Sequence, residues 1–362
     1  MPDLFTPLTA GDLSLANRII MAPLTRTRAG DDGVATDVMV EHYQQRASLG
    51  LIVSEGTFPS PAGKGFVGQP GLSTPEQVAG WRRVTDAVHA DGGVIVAQVM
   101  HAGRATHSDI SGHPVEAPSA LAIDGETRTA AGKVAYPVPH ALDLDELPGI
   151  VQAFVTGSQN AIDAGFDGVE LHAANGYLLH EFLGATSNVR TDAYGGSPEN
   201  RIRLIVEVAE AVVAKIGAGR VGIRISPERN IQSLIEDDPT DVEAVYGALM
   251  DALAPLNLAF VSILHPEPAG SLVQELRTRF GGPFFVNTGF AEATTRDEAV
   301  ALMADGLADA VVVGRAAIAN PDLARRWKHD LAQNALVPET IYAEGAIGYT
   351  DYPTHDEVAA AH

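Results

Sequence analysis

A chain of 362 residues, 46% hydrophobic and 19% charged, can bury one large core or two ordinary ones. The absence of cysteine removes disulfides, thiolate metal sites, Cys-ligated iron–sulfur clusters and a cysteine nucleophile together. A formal charge of -22 disfavours nucleic acid and anionic membranes as partners, and no apolar run reaches membrane-spanning length.

The N-terminal MPDLFTPLTAGDLSLANR has an early Asp3 and no basic stretch ahead of an apolar one, so no secretory signal is read and a cytoplasmic protein is expected. Eight runs rich in Val, Ile and Ala then follow as strand candidates: RIIMAPL (18–24), LIVSEG (51–56), VIVAQV (94–99), DGVELH (167–172), RVGIRIS (220–226), LAFVSIL (258–264), PFFVNTG (283–289) and ADAVVVG (308–314). They are apolar on both faces and alternate with helix-periodic segments such as ENRIRLIVEVAEAVVAKIG, which implies a parallel sheet covered on both sides. Eight such units fit a closed α/β TIM barrel, (β/α)8, better than an open doubly wound sheet. No linker divides the chain, so residues 1–362 read as a single domain. The segment GHPVEAPSALAIDGETRTAAGKVAYPVPHAL, with four prolines and no helical period, reads as an inserted excursion after strand 3, a hairpin with a capping role. GKGFVG (63–68) spells a dinucleotide fingerprint, yet Pro59, Pro61 and Pro70 surround it and forbid a helix directly after it; a flexible loop is expected.

Barrel chemistry sits at the C-terminal strand ends. Here those ends carry Ala22, Pro23, Leu24 and Thr25; Glu55 and Gly56; Gln98 and His101; His172 and Asn175; Arg224; Thr288 and Gly289; Gly314 and Arg315. Glycines at the seventh and eighth ends let backbone N–H groups approach a phosphate, with Arg315 adding charge; tight turn closure is the plainer alternative. Gln98 offers an amide suited to the pyrimidine edge of a flavin, Arg224 a positive charge where a reduced flavin is negative, and Thr25 a hydroxyl donor. A buried polar network would use the same Gln and Arg.

In VELHAANGYLLHEFL, period two sets Glu170 and His172 on one face, and Asn175 follows in the turn. His172 and Asn175 form a donor pair able to hold one carbonyl oxygen, and Tyr177, with an ordinary pKa of about 10, suits a general acid. His172 and His180 lack a third ligand, so no metal is expected, and His180 reads as a packed or capping residue. Lys64, Lys133, Lys215 and Lys328 close no strand, which removes a Schiff-base aldolase.

HAANGYLLHEFL with SNVRTDAYGGSPENRIRLIVEV closely resembles the Old Yellow Enzyme family of FMN-dependent ene reductases. APLTRTRA, VSEGT, AQVMHAGR, GIRISP, NTGF, VVVGR and GYTDYP resemble it in the same order, from about Leu4 to Pro353. The resemblance implies a barrel holding tightly bound, non-covalent FMN, with hydride passing from NADPH or NADH through the flavin to the β-carbon of an activated alkene. It places FMN against Pro23, Leu24, Thr25, Gly56, Gln98, Arg224, Thr288, Gly289, Gly314 and Arg315. His172 and Asn175 would bind the oxygen of an enone, maleimide or nitro substrate, and Tyr177 would protonate the α-carbon. Thr25 in a cysteine-free chain is similar to the classical subgroup, of the N-ethylmaleimide reductase kind. Met100 stands where the family often has Trp, implying a roomier substrate pocket, and LHPEPAGSLVQELR after the sixth strand is short for a substrate wall. Tyr352, ahead of Tyr349, is the C-terminal candidate for lining that pocket. The resemblance leaves monomer and homodimer both open. The alternatives are a flavin reductase acting mainly on nitrate esters, nitroaromatics or quinones, and a non-catalytic barrel binding a phosphorylated ligand.

Overall fold

The computed structural model describes residues 3–289 and 293–360, so Phe290 of the NTGF motif lies outside the described residues. Eight parallel strands close into a barrel: β1 (Ile19–Met21), β2 (Leu51–Val53), β3 (Ile95–Val99), β4 (Gly168–Ala173), β5 (Val221–Ile225), β6 (Phe260–Leu264), β7 (Phe284–Asn287) and β8 (Ala310–Val313). Each pairs with the next, and β8 returns to β1 through Val311, Val312 and Val313. Every expected run is a barrel strand. Their apolar character on both faces has a direct cause: Val169 and Leu171 point outward into the helical layer, while Val53, Val96 and Val312 point into the barrel.

The helices bury one stripe each. Arg203–Ile216 turns Leu204, Ile205, Val208 and Val212 inward, and the helix Leu147–Asp163 packs beside it with Ile150 and Phe154.

Inside the barrel, Ile20, Leu51, Phe260 and Phe285 fill the lower half, with the two Phe rings stacked at 4.6 Å. Gly222 makes room for them, since a Cβ there would sit 2.3 Å from the Phe260 ring. An N-terminal hairpin, Leu8–Ala10 with Leu13–Leu15, plugs this end by adding Ala10, Leu13 and Leu15 to the same cluster. Burial of each leucine contributes about 1.5–3 kcal/mol. The sequence reading passed over this plug because two three-residue strands show too little periodicity.

The excursion after β3 forms the expected hairpin, Glu126–Thr129 antiparallel to Gly132–Ala135. GKGFVG forms a loop, as expected, but a tethered one. Gln69 accepts from the Gly65 N–H at 2.7 Å and donates to the Gly56 carbonyl at 2.8 Å, tying the loop to the end of β2. The next long helix starts only at Pro75, under a Thr74–Gln77 capping box. Among the described residues no helix is long and apolar enough to cross a membrane.

Candidate active site

Above the apolar plug, a polar belt crosses the barrel. Gln98 on β3 donates through Nε2 to Glu170 on β4 at 2.8 Å. Arg224 on β5 donates to the Ser262 hydroxyl on β6 at 2.9 Å and to Asn287 Oδ1 on β7 at 3.0 Å, and Asn287 donates on to the Val312 carbonyl on β8 at 2.9 Å. All of these side chains are buried. Burial raises the pKa of Glu170, while Arg224 and Gln98 oppose the rise; burial lowers that of Arg224, and Glu170 opposes it. Gln98 and Arg224 were read from the sequence. Glu170 was read only for its face, and Ser262 and Asn287 were missed, because a single Ser or Asn in a strand carries no signal.

The belt is not fully paired. Arg224 Nε and Glu170 Oε2 have no hydrogen-bond partner among the described residues, nor do His172 Nδ1 and Asn175 Oδ1 one layer higher. Buried polar atoms normally find partners. Four unsatisfied atoms around one barrel mouth fit polar ligand groups that would complete them.

The turn after β4 explains why His172 and Tyr177 meet. Asn175 and Gly176 both adopt the left-handed conformation, at φ 57° and 76°, which Asn tolerates and Gly favours. The Asn175 N–H donates to the Ser226 hydroxyl at 2.8 Å and the Gly176 N–H to His180 Nδ1 at 2.9 Å, so both turn amides are satisfied by side chains. His180 is thus a capping residue, as expected, and its Nε2 meets Glu236 at 3.2 Å and the Tyr246 hydroxyl at 2.9 Å. Tyr177 caps the helix Leu178–Leu183 and swings back until its ring lies 5.4 Å from that of His172. Phe66, from the tethered loop, closes on the other side, edge-on at 6.4 Å.

Electrostatics assign protonation. His172 is held well below its ordinary pKa by burial, by Arg224 and by His180, so its ring is neutral at physiological pH. Burial pushes the Tyr177 hydroxyl upward, with Tyr136 adding to the rise and side-chain hydrogen bonding from Gln232 opposing it. The hydroxyl therefore keeps its proton. A neutral imidazole, an amide and a protonated phenol on one turn can hold an oxygen and deliver a proton beside it.

Pro23, Leu24 and Thr25 run half-buried from the end of β1, and their path is fixed by Glu55, whose Oε2 accepts the Arg26 N–H at 3.1 Å. Burial raises the Glu55 carboxyl to about 7, against the Arg26 N–H and charge. Gly56 lies under Met100, whose sulfur would be 2.7 Å from a Cβ there. Met100 is accordingly buried at the β2–β3 rim. At the seventh and eighth ends, a Cβ on Gly289 would meet nothing within 4 Å among the described residues, and one on Gly314 would meet Leu24 at 3.7 Å. Both glycines, with Thr288 and Arg315, stay half-buried, a candidate cradle for a phosphate tail.

The two C-terminal tyrosines part company. Tyr349 is fully buried, stacked on His42 at 3.8 Å with the Arg26 and Arg28 guanidinium groups 5.0 and 4.8 Å from its ring, a packing role away from the β4 turn. Tyr352 packs with Leu24, Ile318 and Ala319 beside the cradle, and its hydroxyl accepts the Val337 N–H at 2.9 Å.

Comparison with known proteins matches residues 3–334 to the model of the NADH:flavin oxidoreductase / NADH oxidase family. The chain is 42% identical, over 96% of its own length and 96% of the relative's, to a probable flavin mononucleotide-dependent alkene reductase of Leishmania infantum. It is 38% identical to 12-oxophytodienoate reductase 1 of Oryza sativa subsp. japonica, covering 98% of this chain and 94% of the relative. Among solved structures, the old yellow enzyme homologue from Zymomonas mobilis superimposes with a TM-score of 0.92 at 42% identity, covering 97% of this chain and 99% of that one. Morphinone reductase in complex with tetrahydroNAD superimposes with a TM-score of 0.91 at 41% identity, covering 99% of each chain.

Proposed function

The chain belongs to the NADH:flavin oxidoreductase / NADH oxidase family, and on that premise we propose that residues 1–362 work as one FMN-binding barrel domain that reduces the activated C=C bond of α,β-unsaturated carbonyl, imide or nitro compounds. The enzyme is an FMN-dependent oxidoreductase with a nicotinamide hydride donor. When bound, FMN supplies hydride to the β-carbon of the alkene, having drawn it from NADPH or NADH. The chain's own residues do the rest.

Gln98 and Arg224 hold the polar edge of the ring, Arg224 with the Nε that the belt leaves unsatisfied, and Pro23, Leu24, Thr25 and Gly56 line its approach. Thr288, Gly289, Gly314 and Arg315 hold the phosphate. His172 and Asn175 bind the electron-withdrawing oxygen of the acceptor, which polarises the alkene as charge develops in the transition state. Tyr177 delivers its proton to the α-carbon. Met100 and Tyr352 bound the acceptor pocket. Nicotinamide and acceptor use the same pocket in turn. The protein works as a soluble cytoplasmic monomer or homodimer on small molecules.

The observation that carries this reading is the neutral, incompletely paired His172 ring 5.4 Å from Tyr177. Protein purified and reconstituted with FMN should show flavin absorbance that bleaches anaerobically with NADPH or NADH and returns on adding cyclohexenone, with saturated ketone formed. Absence of bleaching, or bleaching without turnover of the enone, overturns the proposal.

A further inference from the structure

The Gly176 N–H lies between Asn175 and Tyr177, and it donates to His180 Nδ1 at 2.9 Å. A backbone N–H can only donate, so Nδ1 must offer a lone pair and the hydrogen of this wholly buried ring must sit on Nε2. The opposite tautomer would set two hydrogens against each other across the same contact, and the turn would have to move away. Which ring nitrogen carries the hydrogen therefore decides where Asn175 and Tyr177 stand.

The far side of the ring imposes that choice. His180 Nε2 meets the hydroxyl oxygen of Tyr246, on the helix Pro239–Leu253, at 2.9 Å and Glu236 Oε1, from the loop after β5, at 3.2 Å. Burial pushes the Tyr246 hydroxyl well above its ordinary pKa, with Glu236 adding to the rise, so the phenol keeps its proton and donates it to Glu236 Oε1 at 3.0 Å. A carboxylate only accepts, so every hydrogen between Gly176 and Glu236 points one way. The carboxylate is itself held. Glu236 Oε2 accepts the Glu228 N–H at 2.9 Å, and the Glu236 N–H donates to Asn230 Oδ1 at 2.8 Å. Glu228, at φ 58°, is fixed in turn by His265 at the end of β6: Nδ1 of that ring accepts the Glu267 N–H at 3.1 Å, which leaves Nε2–H to donate to Glu228 Oε2 at 2.9 Å. Ser226, which accepts the Asn175 N–H at 2.8 Å, opens the same loop.

We infer that Glu236 is a positioning residue for the reaction: its carboxylate fixes the Nε2–H tautomer of His180, which keeps Nδ1 free to hold the Gly176 N–H and so sets Asn175 and Tyr177 against the acceptor. Glu236 touches neither acceptor nor flavin in this role; it acts through His180. The loops after β5 and β6, joined by His265 and Glu228, hold the carboxylate at the one place where it can do so. The inference rests on the roles proposed for Asn175 and Tyr177.

The test uses the FMN-loaded enzyme with Glu236→Gln, His180→Asn and the two combined. The isosteric Glu236→Gln can donate as well as accept, so it no longer dictates the tautomer; reduction of cyclohexenone in single turnovers should slow about tenfold, with FMN still bound. An asparagine amide oxygen can take the place of Nδ1 and has no tautomer to choose, so the double variant should recover to within about threefold of the wild type. A role in folding alone would not be rescued in this way. An unchanged rate in Glu236→Gln overturns the inference, and so does a double variant as slow as Glu236→Gln. Nitrogen-15 NMR of the histidine-labelled wild type reads the tautomer without any substitution at Glu236, the His180 signals being those lost in His180→Asn. Nδ1 should be unprotonated and Nε2 protonated; a protonated Nδ1 overturns the inference. A wild type that bleaches with NADPH, leaves cyclohexenone unreduced and shows the expected tautomer overturns the proposed function instead.

Discussion

The Gln98 amide donates to the Glu170 carboxylate across 2.8 Å, between adjacent strands whose register sets the two residues opposite each other. A primary amide that gives one hydrogen to a fixed carboxylate presents its carbonyl oxygen in one direction only. Glu170 therefore fixes the orientation of the Gln98 amide, which on the proposed reading faces the bound ring. Glu170→Ala should loosen FMN about tenfold, the equivalent of one misplaced hydrogen bond of about 1.4 kcal/mol, in a fluorescence titration of the apoprotein. Unaltered affinity would show that Gln98 needs no support.

His172→Ala combined with Asn175→Ala removes both groups proposed to face the acceptor's oxygen. Phenol binding should weaken at least tenfold and enone reduction should slow by on the order of a hundredfold or more, as for the loss of oxyanion donors, while FMN stays bound. Loss of flavin on purification would instead assign the pair to the cofactor.

Tyr177→Phe keeps the ring against His172 and Phe66 and deletes only the hydroxyl. Reduction of cyclohexenone should slow by about a hundredfold, within the range of general acid catalysis. Flavin reduction by NADPH, measured separately by stopped flow, should be unchanged. Equal slowing of both half-reactions would remove the acid role.

Gly176→Ala places a methyl group in a residue at φ 76°, 3.1 Å from Gln232 Cβ. It should cost about 1–3 kcal/mol, seen as a lower Tm, and should also slow enone reduction because Tyr177 follows directly. A variant with unchanged Tm would show that the two turns can move apart.

Stability should fall as pH rises. Burial raises the Glu181 carboxyl to about 8, against Arg104, from its ordinary 4.5. Between those values the folded chain holds a proton that the unfolded chain has released, so unfolding becomes easier as pH increases through the window and levels off above it. Glu55, raised to about 7 by burial, acts in the same direction. Glu181→Gln should therefore raise Tm by a few degrees at pH 9 and by less at pH 5. An equal effect at both values would mean that the carboxyl titrates normally.

The local part of this protein was legible in its sequence. Eight apolar runs are eight barrel strands because β-branched residues buried on both faces leave an unbroken apolar signature, and HAANGYLLHEFL announced its turn because Asn-Gly supplies two left-handed positions in succession. His172, Asn175 and Tyr177 lie within six residues, so strand period and turn chemistry alone bring them together. Family motifs extended the reading to the cofactor cradle. Other relationships depend on distance in space between residues far apart in the chain, which no period encodes. Only the closed barrel puts Glu170 beside Gln98, lays Gln232 across Gly176, and brings the plug of Leu13 and Leu15 under the core. The same holds for Tyr349 and Tyr352: three residues apart in GYTDYP, one is stacked on His42 and the other set beside Leu24. Sequence determined which chemistry the strand ends could hold; tertiary structure decided which of their atoms are already paired and which are left to meet a ligand.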